Sequence, residues 1–342
     1  MYSFSGVDDP LPHGGDLAAA RRLFPDAPET FVDLSTGINP NPYPLPRLSP
    51  QLFARLPETA ALERLATVAA QAYGAPSAAC VVAAPGTQLL LPLVCGLARP
   101  GRAAILTPTY SEHARAAALA GHAVAEVRDI GVVGDAALAV VTNPNNPDGR
   151  LIAKNDLLTV AQTLQARGGV LVVDEAFMDV GPRGVSLAPE IARGNIVVLR
   201  SFGKFFGLAG LRLGFALAAP PLAMRLRALL GPWAVSAPAL LVGTTALADQ
   251  AWTDQTRRRL AKAAARLDAI LSGAGLDVVG GTMLFRLIRT RSARELFRHL
   301  GSAGILTRLF PDQATWLRLG LPAAERDWRR LQIAMAAFQD SG

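Results

Sequence analysis

Ser201-Phe-Gly-Lys204-Phe-Phe-Gly207-Leu-Ala-Gly210-Leu-Arg212-Leu-Gly214 follows directly on the apolar run Ile196-Val-Val-Leu-Arg200. A β-branched run that ends in small residues and glycines reads as a strand entering a turn and a helix start. The turn carries one lysine, flanked by Phe202, Phe205, Phe206 and Leu208. Burying an amine favours its uncharged, nucleophilic form. A phosphate-binding loop of the GxxxxGK[ST] kind does not fit, because only one glycine directly precedes Lys204.

Working outward, short apolar runs alternate with helical patterns between about 60 and 230. Residues 80–84, 103–107, 123–127, 138–142, 170–174, 196–200 and 213–217 read as strands. Most are continuous Val, Leu, Ile and Ala runs, the pattern of strands buried on both faces. Helical stretches near 88–97, 112–120 and 155–167 lie between them. This alternation predicts an α/β fold, a mostly parallel seven-stranded sheet flanked by helices. From about 236 the grammar changes. Leu260, Ala264, Leu267 and Leu271 recur at helical spacing with Arg and Lys between them. A strand-like stretch near 278–288, a helix near 292–303, two short strands near 305–309 and 316–319, and a final helix near 323–338 follow. Three segments are expected: an N-terminal arm over 1–45 packing with the small domain, a large domain over 46–232, and a smaller α+β domain over 233–342. The arm, rich in Pro and Gly, is expected to be irregular.

Bulk composition narrows the function classes. The 342 residues are 51% hydrophobic and 18% charged, a globular balance long enough for about two domains. No run of about 18 apolar residues is present, and the N-terminus lacks a basic stretch followed by an apolar one. A cytoplasmic protein with no membrane span is expected. Cys80 and Cys95 stand in apolar surroundings without metal-ligand spacing, so they read as reduced thiols, and no metal is expected. The net charge is +7. Much of the excess is Arg257, Arg258, Arg259, Arg291, Arg294 and Arg298, on expected helix faces beside Ala and Leu. These read as solvated faces rather than a nucleic-acid patch. A transcription regulator built on this fold would need a DNA-binding domain, which about 30 irregular N-terminal residues do not supply.

Four loops follow expected strands, where open α/β sheets bind ligands. They carry Pro85-Gly86-Thr87-Gln88, Asn143-Pro-Asn-Asn146-Pro-Asp-Gly149, Asp174-Glu-Ala176-Phe177, and the lysine stretch itself. Together they match the needs of pyridoxal 5'-phosphate. Lys204 supplies the amine for a Schiff base. Asp174 supplies the anion that keeps the ring nitrogen protonated, which strengthens the electron sink. Backbone N–H groups at Gly86, Thr87 and Gln88, the Ser201 hydroxyl and the Arg212 fork suit the phosphate. Asn146 is a donor for the ring 3-oxygen. Tyr110 and Ala176 are flat or small enough for the two ring faces.

These residues resemble the fold-type-I aminotransferase superfamily, above all its histidinol-phosphate aminotransferase branch, over residues 30 to the end. The resemblance implies a homodimer with sites at the interface, and that Arg318 in Trp316-Leu-Arg318-Leu-Gly320 grips a substrate α-carboxylate. Within the branch, the chain is similar to the L-threonine-O-3-phosphate decarboxylase family of cobalamin biosynthesis. His13-Gly14-Gly15, followed by Asp33 to Asn39-Pro40, resembles that family's opening and places His13, Gly14 and Asn39 among candidate substrate-binding residues with Asn146. Phe177 stands where many aminotransferases have a Tyr that bonds the 3-oxygen. Arg308, ten residues before Arg318, is the candidate for a substrate phosphate. Gly203 stands where relatives often carry Ser or Thr, and Leu56 where histidinol-phosphate aminotransferases have a Tyr. The implied reaction is decarboxylation of threonine phosphate to (R)-1-amino-2-propanol O-2-phosphate. The alternative is transamination of histidinol phosphate or another amino acid. Motifs alone leave threonine phosphate and serine phosphate both open.

Overall fold

The computed structural model describes residues 13–133 and 135–338. The first twelve residues of the expected arm and the last four of the expected C-terminal domain lie outside the described residues. All seven apolar runs become strands of one sheet. They are β1 Val81–Ala84, β2 Arg102–Leu106, β3 Ala123–Val127, β4 Leu138–Thr142, β5 Val170–Asp174, β6 Ile196–Ser201 and β7 Gly214–Ala218. Their spatial order is β1-β7-β6-β5-β4-β2-β3. β7 runs antiparallel to both neighbours, and the other adjacent pairs are parallel. Every residue of β4, β5 and β7 is buried, which is why their sequences are apolar without alternation. β3 is one of the two edges, and it is largely exposed.

This topology decides where chemistry can sit. β1 and β6 are each antiparallel to β7, so they point the same way. The C-terminal ends of β1, β2, β4, β5 and β6 therefore share one edge of the sheet. From β2 the chain steps outward to β3, then returns as β4 on the other side of β2. That reversal between β2 and β4 is the switch point at which such sheets form a ligand crevice.

The described chain divides into two compact units, residues 42–255 and the residues up to 41 with those from 256 onward. The second boundary falls inside the helix Gln250–Gly273, later than the 232/233 division read from the sequence. Helix Ala237–Ala248 accounts for the difference: it is apolar on nearly all sides and packs on helix Thr59–Tyr73 of the larger unit. A Cβ on Gly243 would stand 3.1 Å from Leu65 Cδ1, so glycine permits the close approach. Tyr43, whose N–H donates to Phe206 O at 2.8 Å, likewise belongs to the larger unit.

The smaller unit holds a four-stranded antiparallel sheet, β8 Asp277–Thr282, β9 Phe285–Arg289, β10 Arg308–Leu309 and β11 Trp316–Gly320, in the order β10-β11-β9-β8. The stretch expected as one strand near 278–288 is a hairpin, its turn held by Leu284 N–H donating to Thr282 Oγ1 at 3.1 Å. The run at 305–309 also divides. Ile305–Leu306 pairs in parallel with Val32–Asp33, and Arg308–Leu309 pairs with β11. The arm is not wholly irregular. Leu17–Leu23 is a helix capped by Asp16, whose carboxylate accepts from Ala19 N–H at 2.8 Å, with Arg21 and Arg22 in its last turn. Among the described residues no helix is long and apolar enough to cross a membrane.

Beneath the site edge lies a buried ion network. Arg200 Nη1 meets Glu175 Oε2 at 3.1 Å and Nη2 meets Asp179 Oδ1 at 2.6 Å, with the guanidinium 4.4 Å from the Tyr73 ring centroid. Glu175 also accepts from Ser186 Oγ and Leu187 N–H. Burial works against the Arg200 charge, but the Asp179 and Glu175 carboxylates outweigh it and raise its pKa. The network fixes the turn after β5, which carries Asp174 to Phe177. Arg200→Met strands two buried carboxylates and is expected to cost about 3–5 kcal/mol of stability, read as a lowered urea midpoint at unchanged slope.

Candidate active site

At the end of β5, Asp174 is buried and held by both oxygens. Oδ1 accepts from Ala176 N–H at 3.0 Å, which places Ala176 immediately after the carboxylate. Oδ2 lies 3.0 Å from His113 Nε2. His113 is buried in helix Glu112–Leu119, which follows β2. Sequence reasoning missed it. Its signal was spacing: His113 stands three residues after Tyr110, which places the two side chains on one face at a helix start. Their rings meet edge to face at 5.8 Å. Tyr110 donates its phenol hydrogen to Gln88 Oε1 at 3.1 Å, and Gln88 Nε2 donates to Glu112 Oε2 at 2.6 Å. The Gln88 side chain thus positions Tyr110.

Helix Thr87–Cys95 follows β1 and starts at Gly86, at φ +86° with no side-chain cap. The Gly86 N–H is already used, donating to Ala84 O at 2.7 Å, so the helix-start N–H groups that could meet an anion begin at Thr87 and Gln88. Arg212 adopts φ +53°, uncommon for a residue with a side chain. Its guanidinium comes to Gly86: a Cβ there would sit 2.6 Å from Arg212 Nη2. A Cβ on Gly214 would sit 2.6 Å from Thr87 N. Two glycines therefore keep open a cradle bounded by a helix N-terminus and a guanidinium, the chemistry of an anion site. Ser201, half-buried, ends β6 and stands just before the helix turn Phe202–Phe205.

Lys204 lies in that turn, which is seated on aromatic rings. Phe202 stacks on Phe206 at 4.4 Å and Phe206 stacks on Trp252 at 5.5 Å. Lys204 Nζ lies 5.6 Å from the Phe177 ring centroid. Gly203 has a steric cause: a Cβ there would come within 2.8 Å of Ala209 Cα, so this backbone excludes a serine or threonine. Asn146 is half-buried in the loop after β4. Its neighbours anchor that loop, since Asn143 pairs both ways with the Ile152 backbone and Asn145 donates to Pro108 O at 2.8 Å.

The smaller unit holds a second group of the expected residues. Arg308 and Arg318 are direct register partners on β10 and β11. Both guanidiniums lie over the Phe310 ring, at 5.8 and 5.9 Å. Arg318 is buried and donates through Nη2 to Ser35 O at 2.7 Å. Burial, and then the Arg308 charge, push the Arg318 guanidinium down to about 9, with Asp33 opposing. Ser35 is placed by Asp33 Oδ1, which accepts from its N–H at 2.9 Å, and Ser35 Oγ accepts from Gly15 N–H at 2.8 Å. Gly14 packs so closely that a Cβ would stand 2.6 Å from Ser35 O. Asn39 is buried and its Oδ1 accepts from Asn41 N–H at 3.0 Å, whereas His13 is exposed.

Comparison with known proteins agrees with this layout. Residues 41–335 match the model of the aminotransferase class I and II family. The threonine-phosphate decarboxylase of a Sinorhizobium species is 42% identical, covering 96% of this chain and 99% of that protein. The threonine-phosphate decarboxylase of Pseudomonas aeruginosa is 43% identical over 96% of this chain and 98% of that one. Among solved structures, histidinol-phosphate aminotransferase from Sinorhizobium meliloti, in complex with pyridoxal-5'-phosphate, superposes with a TM-score of 0.81 at 21% identity, covering 98% of this chain and 97% of that one. On its sequence match and its strand order alike, the chain belongs to the aminotransferase class I and II family.

Proposed function

We propose that the chain is a pyridoxal 5'-phosphate-dependent decarboxylase that converts L-threonine O-3-phosphate to (R)-1-amino-2-propanol O-2-phosphate and carbon dioxide. The observation that carries this reading is near-full-length identity above 40% to two proteins named for that activity. The paired guanidiniums of Arg308 and Arg318 support it, because a substrate with both a carboxylate and a phosphate needs two cationic partners.

The residues of the larger unit fit the cofactor. The cradle kept open by Gly86 and Gly214 suits its phosphate, with Thr87 and Gln88 N–H groups, Ser201 and Arg212 as donors. Lys204 would be the amine that carries it. Asp174 would accept the ring N–H, Asn146 would donate to the 3-oxygen, and Tyr110 and Ala176 would pack against the ring. Phe177 would add packing without a hydroxyl. When bound, the protonated pyridine ring would supply an electron sink for the bond to the departing carboxyl group. Arg318 would bind and orient the substrate carboxylate. Lys204 would supply a proton to the substrate α-carbon. Arg308 takes the substrate phosphate, with His13, Gly14 and Asn39 completing the substrate-binding set. The working form is a homodimer. Phe53, Leu56 and Trp233 stand exposed on the larger unit and offer apolar surface to a second copy.

Incubating the purified holoenzyme with L-threonine O-3-phosphate is expected to release carbon dioxide and the aminopropanol phosphate in equal amounts. Light scattering on the same sample is expected to give twice the 35.9 kDa chain mass. Consumption of 2-oxoglutarate without carbon dioxide would instead establish an aminotransferase.

A further inference from the structure

We infer that Ser35 is a positioning residue that docks the His13-Gly14-Gly15 arm beside Arg318, its hydroxyl holding the arm while its carbonyl holds the guanidinium. The consequence for catalysis rests on the substrate reading above, in which Arg318 and the arm both meet the substrate, whereas the docking itself does not.

The stretch Asp33-Leu34-Ser35 sets this up locally. An aspartate can close a turn on the backbone N–H two residues further on. Asp33 Oδ1 accepts both the Ser35 N–H, at 2.9 Å, and the Ser35 hydroxyl, at 2.5 Å. A hydroxyl has one hydrogen to give, and that hydrogen is spent on Asp33. The Ser35 Oγ is left with lone pairs. The Gly15 N–H, which can only donate, meets it at 2.8 Å. A hydroxyl that is itself donating is a better acceptor, so the two bonds support each other. The Ser35 carbonyl is a separate acceptor, and Arg318 Nη2 donates to it at 2.7 Å.

The fold makes Ser35 a fixed post. The residue is buried, and its neighbours are pinned by strand bonds. Val32–Asp33 pairs in parallel with Ile305–Leu306, and Leu34 N–H donates to Leu306 O at 2.8 Å. Gly320, which ends β11, donates its N–H to Leu34 O at 2.7 Å, and a Cβ there would stand 2.5 Å from Thr36 O. The arm has the opposite character, because His13 and Gly15 are exposed. It approaches the post by its backbone. A Cβ on Gly14 would stand 2.6 Å from Ser35 O and 2.8 Å from Ser35 Oγ, and Gly15 adopts φ +90°. Both positions call for glycine, the first for the close approach and the second for its backbone angle. The helix Leu17–Leu23, capped by Asp16, begins directly after this contact. One buried residue therefore sets the spacing between the arm and the guanidinium.

Ser35→Ala keeps the carbonyl that holds Arg318 and removes the hydroxyl that holds the arm. Hydrogen exchange at the Gly15 amide of the holoenzyme can be read by mass spectrometry with electron-transfer fragmentation. The wild-type amide is expected to be protected, and to exchange at least about threefold faster in Ser35→Ala, the scale of one hydrogen bond. KM for threonine phosphate should rise about three- to tenfold with kcat within about twofold, because a preformed binding contact is lost rather than one made only in the transition state. Gly14→Ala, which sets a methyl group against Ser35, should reproduce both changes. The double variant should be no worse than the worse single one, since both substitutions break the same contact. An unprotected Gly15 amide in the wild type overturns the inference. So does Ser35→Ala with unchanged KM, or a double variant in which the two losses multiply. Should Ser35→Ala fail to fold, the wild-type exchange and Gly14→Ala decide. A holoenzyme that does not turn over threonine phosphate overturns the substrate reading instead, and leaves the exchange result standing.

Discussion

Lys204→Ala is expected to lower turnover of threonine phosphate by more than about 10⁴-fold and to abolish the Schiff-base absorbance of the cofactor-loaded protein. The proposed function puts two roles on this one amine: carrying the cofactor, and returning a proton to the α-carbon, a step that alone is worth about 10²–10⁴-fold when a positioned group performs it. The substitution should leave the fold intact. The turn Phe202–Phe205 is anchored by Phe202 and Phe205, both fully buried, and by the stacked rings of Phe206 and Trp252 rather than by the lysine. Far-ultraviolet circular dichroism and the urea midpoint of the variant should therefore match the wild type while the absorbance is lost. Added primary amines of small size should restore part of the activity if proton return is the missing step. A Lys204→Ala protein that keeps both its absorbance and its turnover would remove Lys204 from the site.

How far the site could be read from sequence depends on how local each signal was. The seven strands were legible because burial on both faces writes itself as an unbroken apolar run, as in Val170–Asp174 and Ile196–Ser201. Asp174 ends β5, Gly86 and Lys204 stand just after β1 and β6, and Arg212 stands just before the start of antiparallel β7, so the sheet places all four at the one edge the sequence pattern pointed to. His113 was not. Its partner Asp174 is 61 residues away, and the two meet only because β2, β4 and β5 are neighbours in the sheet. Gln88 was read for its backbone N–H alone, whereas its side chain is committed to Tyr110 and Glu112, contacts between separate elements that no local pattern encodes. The helix Leu17–Leu23 was hidden because a seven-residue helix between Pro- and Gly-rich stretches carries too few turns for a clear period. The glycine before the lysine was visible as a departure, yet its cause, the approach of Ala209 Cα, is a tertiary contact that spacing does not encode.

The two arginines give the last expectation. In sequence they are ten residues apart with a short connection, and the shortness of that connection makes them direct cross-strand partners. Like charges placed opposite one another on a sheet destabilise it. Here burial and the Arg308 charge together hold Arg318 down to about 9. An arrangement that works against itself in this way favours whatever anion relieves it, and a carboxylate joined to a phosphate relieves both members at once. Arg318→Gln is therefore expected to lower kcat/KM for threonine phosphate by at least about 10²-fold, the scale of losing a buried charged partner. Arg308→Gln should give a loss of similar size with threonine phosphate but a change of less than about threefold with L-threonine, which has the carboxylate and lacks the phosphate. The same substitution removes the charge facing Arg318, so the ligand-free protein should gain up to about 1 kcal/mol of stability, while Arg318→Gln loses the Ser35 hydrogen bond and should not. Kinetics with the two substrates and urea midpoints of the two variants read all of these. If Arg308→Gln lowers activity equally toward threonine phosphate and threonine, Arg308 does not hold the phosphate, and the second cationic partner must be sought at His13.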